Sequence, residues 1–174
     1  RKNCRSQPER GDPQCRRDEA ENLVDQPFNH AIVESTITTN LLGPIRLTSA
    51  LLPHLLTKPA STIVTVSSGL AFIPLASTPT YNASKAAIHS WTQSLRHQLR
   101  RTTVEVLELA PPAVATDLMP GHAENPHSMP LADYTSEVIG LIERGEILVE
   151  RVKPLRFAEI QGYEAVFERL NGAA

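Results

Sequence analysis

The chain has 174 residues, which is enough for about one domain with a hydrophobic core. Its formal net charge of −2 argues against a nucleic-acid-binding protein, and no apolar run approaches the length of a membrane span. The two cysteines, Cys4 and Cys15, match no zinc-ligand spacing, so we expect a reduced, cytoplasmic protein with two incidental thiols.

The first part of the chain differs in composition from the rest. Residues 1–19 contain six of the 17 Lys and Arg residues and no Val, Ile, Leu or aromatic residue. Such a segment cannot bury enough apolar area to offset the entropy that it loses on ordering. We therefore predict a basic, disordered leader over residues 1–24 and a folded domain over residues 25–174. A basic tail that contacts a partner is the alternative for the leader.

A long helical pattern extends from Phe28 to His54. Apolar residues recur there at steps of three and four, and the pattern resumes after Gly43 and Pro44. These two residues are therefore expected to bend the helix rather than end it. Asn40 lies just before the bend, where a polar side chain that caps the kink is the simplest interpretation.

Three strands of a parallel sheet are predicted. Residues 62–67 begin with an apolar, β-branched run typical of a strand buried on both faces, residues 103–109 alternate in hydropathy, and residues 147–149 form a short third strand. Apolar periodicity also predicts three helices, one that begins near Tyr81, one over residues 131–144 and one over residues 157–170. These elements indicate an α/β fold in which strand 62–67 has an unpaired edge if the chain folds alone.

Tyr81 and Lys85 stand four residues apart on the predicted helix, so the phenol and the ammonium lie on the same face. A cation about 5 Å from a phenol favours the phenolate by roughly 3 kcal/mol at an effective dielectric near 20, which lowers the pKa by about two units. Ser68, at the carboxyl end of strand 62–67, would meet this pair in the crevice where open α/β sheets bind ligands. The three side chains together suit proton transfer between an alcohol and a ketone, provided that a hydride carrier lies alongside.

The Tyr-x-x-x-Lys spacing by itself is a weak signal, because an ordinary helix often carries such a pair on its surface. The surrounding sequence is more specific. The strand, the Ser-Ser-Gly that ends it, the position of Ser68 thirteen residues before Tyr81, and the small-residue run from Tyr81 to Ala87 together resemble the short-chain dehydrogenase/reductase family. The resemblance implies that Tyr81 is the acid/base, that Lys85 lowers its pKa and binds the ribose of NAD or NADP, and that Ser68 orients the substrate.

Two further segments resemble the same family. The run around Asn40 implies that this residue completes the active site by holding a water in the proton path. After the strand at 103–109, the resemblance implies three cofactor-binding residues, Pro111, Val114 and Thr116. Pro112 stands where the family usually has glycine, and because proline fixes φ and lacks an N–H, the loop cannot adopt a glycine-only conformation.

His122 and His127 lie in a polar segment bounded by prolines. Neither has a cysteine or carboxylate partner at metal-ligand spacing, so we interpret both as solvent-facing loop residues. No metal site is predicted.

The resemblance covers about residues 25–149, roughly the second half of a complete enzyme, and implies a partial Rossmann-type doubly wound fold. The eight glycines are at least five positions apart, so they cannot form the glycine-rich turn that receives a cofactor pyrophosphate. We expect either the catalytic half of an NAD(P)-dependent oxidoreductase that acts on a small alcohol or carbonyl compound, or an inactive remnant that pairs with a full-length relative. The family commonly assembles through the helices that correspond to residues 31–53 and 81–101, which implies a homo-oligomer.

Overall fold

The computed structural model describes residues 21–24, 29–116, 123–143 and 149–172. These ranges contain strands β1 (Ser61–Val66) and β2 (Val104–Leu109) and helices α1 (His30–Ile37), α2 (Gly43–Leu55), α3 (Pro79–Leu99), α4 (Leu131–Glu143), α5 (Lys153–Arg156), α6 (Ala158–Gln161) and α7 (Tyr163–Asn171). The predictions for Cys4, Cys15 and His122 concern residues outside these ranges.

The two strands pair in parallel, in register from Ser61 opposite Val104 to Val66 opposite Leu109. Parallel strands need a crossover connection, and α3 provides it. The backbone pairing continues past both strands, because the N–H of Gly69 donates to Pro111 O at 3.0 Å. The carboxyl ends of β1 and β2 therefore lie side by side, at the edge where sheets of this kind bind ligands.

Helix α3 covers one face of the sheet. Leu95 and Leu99 of α3 pack with Val104 and Val106 of β2, and Trp91 packs against this cluster. This contact fixes the orientation of α3 and hence the direction in which its first turns face.

The prediction that β1 is buried on both faces is wrong. Val64 and Val66 are 46% and 48% exposed, because the elements that the structure describes cover only the opposite face of β1 well. Within the described ranges β1 pairs only with β2, so one edge of β1 is open, as the sequence predicts.

The prediction that Gly43 and Pro44 do not end the first helical run is confirmed. Helix α1 runs directly into a π-helical segment, Thr38–Leu42, and α2 begins at Gly43. A Cβ at position 43 would lie 3.3 Å from Thr38 O, closer than is usual, so a glycine lets the two turns approach each other. Asn40 lies in the middle of the π-helical segment.

The predicted single helix over residues 157–170 is wrong. The chain forms α6 and α7 there, separated by Gly162, whose φ of 96° lies in the region that glycine adopts most easily. The predicted strand over residues 147–149 falls mostly outside the described ranges. Val149 itself belongs to no strand and is fully buried beside Val152.

Glu21 contacts the start of α3. Its N–H donates to Ser77 O at 2.7 Å, and its carboxylate accepts from the N–H of Thr80 at 3.1 Å and from Thr80 Oγ1 at 2.6 Å. A carboxylate at this position pairs an N–H in the first helical turn and interacts favourably with the helix dipole. Residues 1–20 lie outside the described ranges, so the disordered leader stays a prediction for them.

Candidate active site

Ser68 lies directly after β1 and is 8% exposed. Its Oγ accepts a hydrogen bond from the N–H of Leu70 at 3.1 Å and so caps the short 3-10 turn Gly69–Ala71. This bond uses Oγ as an acceptor and does not use the hydroxyl proton. A serine held in this way can donate to an oxygen atom at the end of the strand.

Tyr81 and Lys85 occupy the same face of α3. Lys85 Nζ lies 5.5 Å from the centroid of the Tyr81 ring and donates a hydrogen bond to Val66 O at 3.1 Å. Val66 is the last residue of β1 and precedes Ser68 by two positions. The ammonium of Lys85 thus joins the Tyr81 face of α3 to the strand end that carries Ser68.

Asn40 reaches α3 from the π-helical segment. Its Nδ2 donates to Ser84 Oγ at 3.1 Å, and Ser84 Oγ donates to Tyr81 O at 2.7 Å. Ser84 is fully buried and precedes Lys85 in the chain. π-helical turns are frequent at functional sites, and this one brings Asn40 to the helix that carries Tyr81 and Lys85. The sequence does not single out Ser84, which is one of several small residues in the run after Tyr81.

The loop after β2 pairs with a second loop. The N–H of Met129 donates to Ala113 O at 2.8 Å, and the N–H of Ala115 donates to Met129 O at 2.8 Å, which makes a parallel bridge between Val114 and Met129. In such a bridge the flanking residues supply the hydrogen bonds, so the N–H of Val114 points away from Met129. Thr116 Oγ1 donates a long bond, 3.5 Å, to Val114 O.

A second polar pair lies one helical turn beyond Lys85. His89 Nδ1 lies 2.8 Å and 2.9 Å from the two carboxylate oxygens of Glu108, and His89 Nε2 lies 2.6 Å from Gln93 Nε2. The ring of Phe72 contacts the His89 ring edge-on, with centroids 4.9 Å apart. Glu108 is 7% exposed, and burial of a carboxylate is unfavourable unless hydrogen bonds such as these compensate for the lost water. No sequence signal points to this pair, because its members lie on different elements.

His127 is exposed, as the sequence predicts. Across the described residues no group of three or more His, Cys, Asp or Glu side chains could hold a metal ion.

Comparison with known proteins identifies the family. Residues 21–126 match the family model described as short chain dehydrogenase. The chain belongs to the short-chain dehydrogenase family. The resemblance of the active-site segments to that family is therefore confirmed at the level of the family.

The chain is 41% identical over 141 residues to an uncharacterized oxidoreductase, DltE, of Bacillus subtilis, a match that covers 78% of this chain and 56% of DltE. It is 34% identical over 113 residues to an uncharacterized oxidoreductase of Myxococcus xanthus, a match that covers 65% of this chain and 44% of the relative. The chain thus spans about half the length of the curated relatives that it matches.

Solved structures share the fold of this chain. A short chain dehydrogenase from Burkholderia cenocepacia, in complex with NADP, matches with a TM-score of 0.72 at 20% identity, over 87% of this chain and 67% of that one. A short-chain dehydrogenase from Sphingobium yanoikuyae, in complex with NADPH, matches with a TM-score of 0.69 at 20% identity, over 90% and 63%. The predicted Rossmann-type α/β fold is confirmed by these matches. No helix within the described ranges is both long enough and apolar enough to cross a membrane.

Proposed function

We propose that this chain carries the proton-transfer half of an NAD(P)-dependent oxidoreductase that interconverts an alcohol and a carbonyl compound. The observation that carries the proposal is the position of Lys85 Nζ, 5.5 Å from the Tyr81 ring centroid and hydrogen-bonded to Val66 O beside Ser68. A cation close to the ring favours the phenolate form of a tyrosine, as a proton carrier at neutral pH requires.

Each side chain has one role in this reaction. In reduction, Tyr81 gives its proton to the carbonyl oxygen of the substrate, and in oxidation it takes the proton of the alcohol. Ser68 donates a hydrogen bond to the same oxygen and holds it in place. Asn40, which is bonded to Ser84, supports the first turns of α3 and orders a water that returns the proton to solvent.

The residues fit a nicotinamide cofactor at its nicotinamide-ribose end. The N–H of Val114 points away from Met129 and can donate to the carboxamide oxygen of the cofactor. Pro111 and Thr116 flank that amide in the chain, and Lys85 and Tyr81 would hold the ribose. The cofactor, when bound, supplies or accepts the hydride. The matched structures whose names mention NADP and NADPH support a nicotinamide dinucleotide. An assay with each cofactor in turn distinguishes NAD from NADP.

The experiment is a hydride-transfer assay of the 174-residue chain over short alcohols and aldehydes, with NAD(H) and NADP(H) in turn. Tyr81→Phe should lower kcat by about 10²- to 10⁴-fold, because it removes the acid/base. Tyr163→Phe is the matched control, since Tyr163 lies on α7 and its ring stacks on Phe167. Turnover that survives Tyr81→Phe would overturn the proposal.

A second candidate function is association with a full-length relative through residues 31–53 and 81–101. Leu47 and Leu51 of α2 support it, because they are 61% and 47% exposed. Wild-type chain that shows no turnover with either cofactor, yet sediments with a full-length short-chain dehydrogenase, would favour this function over catalysis.

A further inference from the structure

The loop that joins Ser68 to Tyr81 packs against the C-terminal segment, residues 149–172. Ile73, in the middle of the loop, is fully buried and clusters with Ala158 and Val166. At the start of the loop, a Cβ on Gly69 would lie 2.9 Å from Leu155 Cδ1, too close for any side chain to fit without movement. The loop therefore packs against the C-terminal segment along most of its length.

The end of α7 holds this loop through one side chain. Asn171 Oδ1 accepts from the N–H of Ala76 at 2.5 Å, and Asn171 Nδ2 donates to Pro74 O at 3.1 Å and to Phe167 O at 3.0 Å. Both amide protons and one oxygen lone pair are used, and the partners fix which way the carboxamide faces. Asn171 thus bonds the backbone on both sides of Leu75, as a neighbouring strand would.

A second asparagine holds the same point of the loop from the other side. Asn82 Nδ2 donates to Leu75 O at 2.7 Å, and Asn82 Oδ1 accepts from Thr78 Oγ1 at 3.2 Å. Asn82 is 5% exposed and follows Tyr81 in the chain. Leu75 therefore lies between two side-chain amides. One belongs to Asn82, which follows Tyr81 in the chain, and the other belongs to Asn171 at the end of α7.

We propose that Asn171 is a positioning residue that sets which substrates the site accepts. It fixes residues 74–76, which lie in the middle of the loop that joins Ser68 to Tyr81. Asn82 holds the same residues from the helix that carries Tyr81. The inference rests on the proposed function, because only an alcohol or carbonyl compound bound between Ser68 and Tyr81 would meet the loop that joins them. Asn171 acts through the loop and touches no reacting atom.

Kinetics of the full chain provide the first test, with aldehydes and ketones of increasing size as probes. Asn171→Ala should raise KM for the preferred substrate about tenfold, leave kcat within about twofold, and reduce the preference between small and bulky substrates. Asn171→Asp keeps the acceptor for Ala76 but sets a carboxylate oxygen against Pro74 O and Phe167 O, so its effect should be at least as large. Glu168→Ala, an exposed site on the same helix, is the control.

Hydrogen exchange at the Ala76 amide provides the second test, and it needs no turnover. Asn171→Ala should speed this exchange about tenfold and leave the amides of β1 unchanged. Activity that persists in Tyr81→Phe would overturn the proposed function whatever Asn171 does. Loss of activity in Tyr81→Phe, together with unchanged KM and substrate order in Asn171→Ala, would overturn this inference alone. If the wild-type chain has no turnover, the proposed function and this inference fail together. In an active chain, unchanged exchange at Ala76 in Asn171→Ala overturns this inference alone.

Discussion

Asn40 Nδ2 donates a hydrogen bond to Ser84 Oγ across 3.1 Å, although the two residues are 44 positions apart in the chain. The bond joins the π-helical segment to α3 at the position just before Lys85. Since Ser84 Oγ also bonds Tyr81 O, the contact supports the turn that holds both Tyr81 and Lys85. Asn40 therefore has a structural role besides any contact with a water.

A double-mutant cycle of Asn40→Ala and Ser84→Ala tests this bond. The free energies of unfolding should be non-additive by about 0.5–1.5 kcal/mol, the usual net value of one hydrogen bond. Urea unfolding of the wild type, both single variants and the double variant gives the number. Thr38→Ala, at an exposed site of the same segment, should change stability by less than about 0.5 kcal/mol. Additive single effects would show that the two side chains are not coupled.

Removal of the Glu108 carboxylate should destabilise the protein. Glu108→Ala leaves His89 Nδ1 without its partner inside the layer between α3 and β2, so we expect the free energy of unfolding to fall by about 1–3 kcal/mol. Glu105→Ala is the matched control, because Glu105 lies on the exposed face of the same strand and should cost less than about 0.5 kcal/mol. Thermal unfolding of both variants decides the matter. Equal losses of stability in the two variants would mean that the contact between Glu108 and His89 does not stabilise the protein.

The sequence was most informative where the relevant residues are close in the chain. The β-branched composition of residues 62–67 predicted β1, and the four-residue spacing of Tyr81 and Lys85 placed both on one face of α3. Propensity and periodicity act over one or two turns, so they reach such features directly.

Contacts between distant elements could not be predicted from the sequence. Asn171 and Pro74 are 97 positions apart, and the apolar period over residues 157–170 gave no sign of the break at Gly162, because a single glycine does not interrupt such a pattern. The exposure of Val64 was also missed, since the composition of a strand cannot say which elements cover it.

The open edge of β1 should promote self-association. Val64 and Val66 of β1 are about half-exposed. Among the described residues the backbone of β1 pairs with β2 on one side only, and an open strand edge of this kind can pair with a strand of another chain. Val64→Lys places a charge there and should raise the dissociation constant about tenfold, or about 1.4 kcal/mol, in sedimentation runs at increasing concentration.

Leu47→Lys is the comparison variant for this measurement, because it places the same charge on α2 instead of the sheet. An effect of Leu47→Lys with none of Val64→Lys would contradict the edge prediction. That outcome would support assembly through residues 31–53 and 81–101 instead.

Tyr134 should make the protein less stable at alkaline pH. Its ring packs against the core cluster around Val138 and Leu141, and burial raises the pKa of the Tyr134 phenol above its ordinary value of 10.0. Between that value and the folded-state pKa, the unfolded chain has lost the proton while the folded protein still holds it. Unfolding then releases a proton, so the free energy of unfolding falls as the pH rises through this window and is unaffected by Tyr134 below it.

Urea unfolding at several pH values on both sides of about pH 10 measures this effect. Tyr134→Phe keeps the ring and removes the titrating hydroxyl, so its stability should decline less steeply with pH than that of the wild type. The wild type and Tyr134→Phe contain the same lysines, so the difference between their two curves belongs to Tyr134. Tyr163→Phe, on α7, is the matched control for loss of a tyrosine hydroxyl. Parallel curves for the wild type and Tyr134→Phe would mean that the phenol keeps its proton equally well in both states, and burial of the ring would then have no effect on its ionisation.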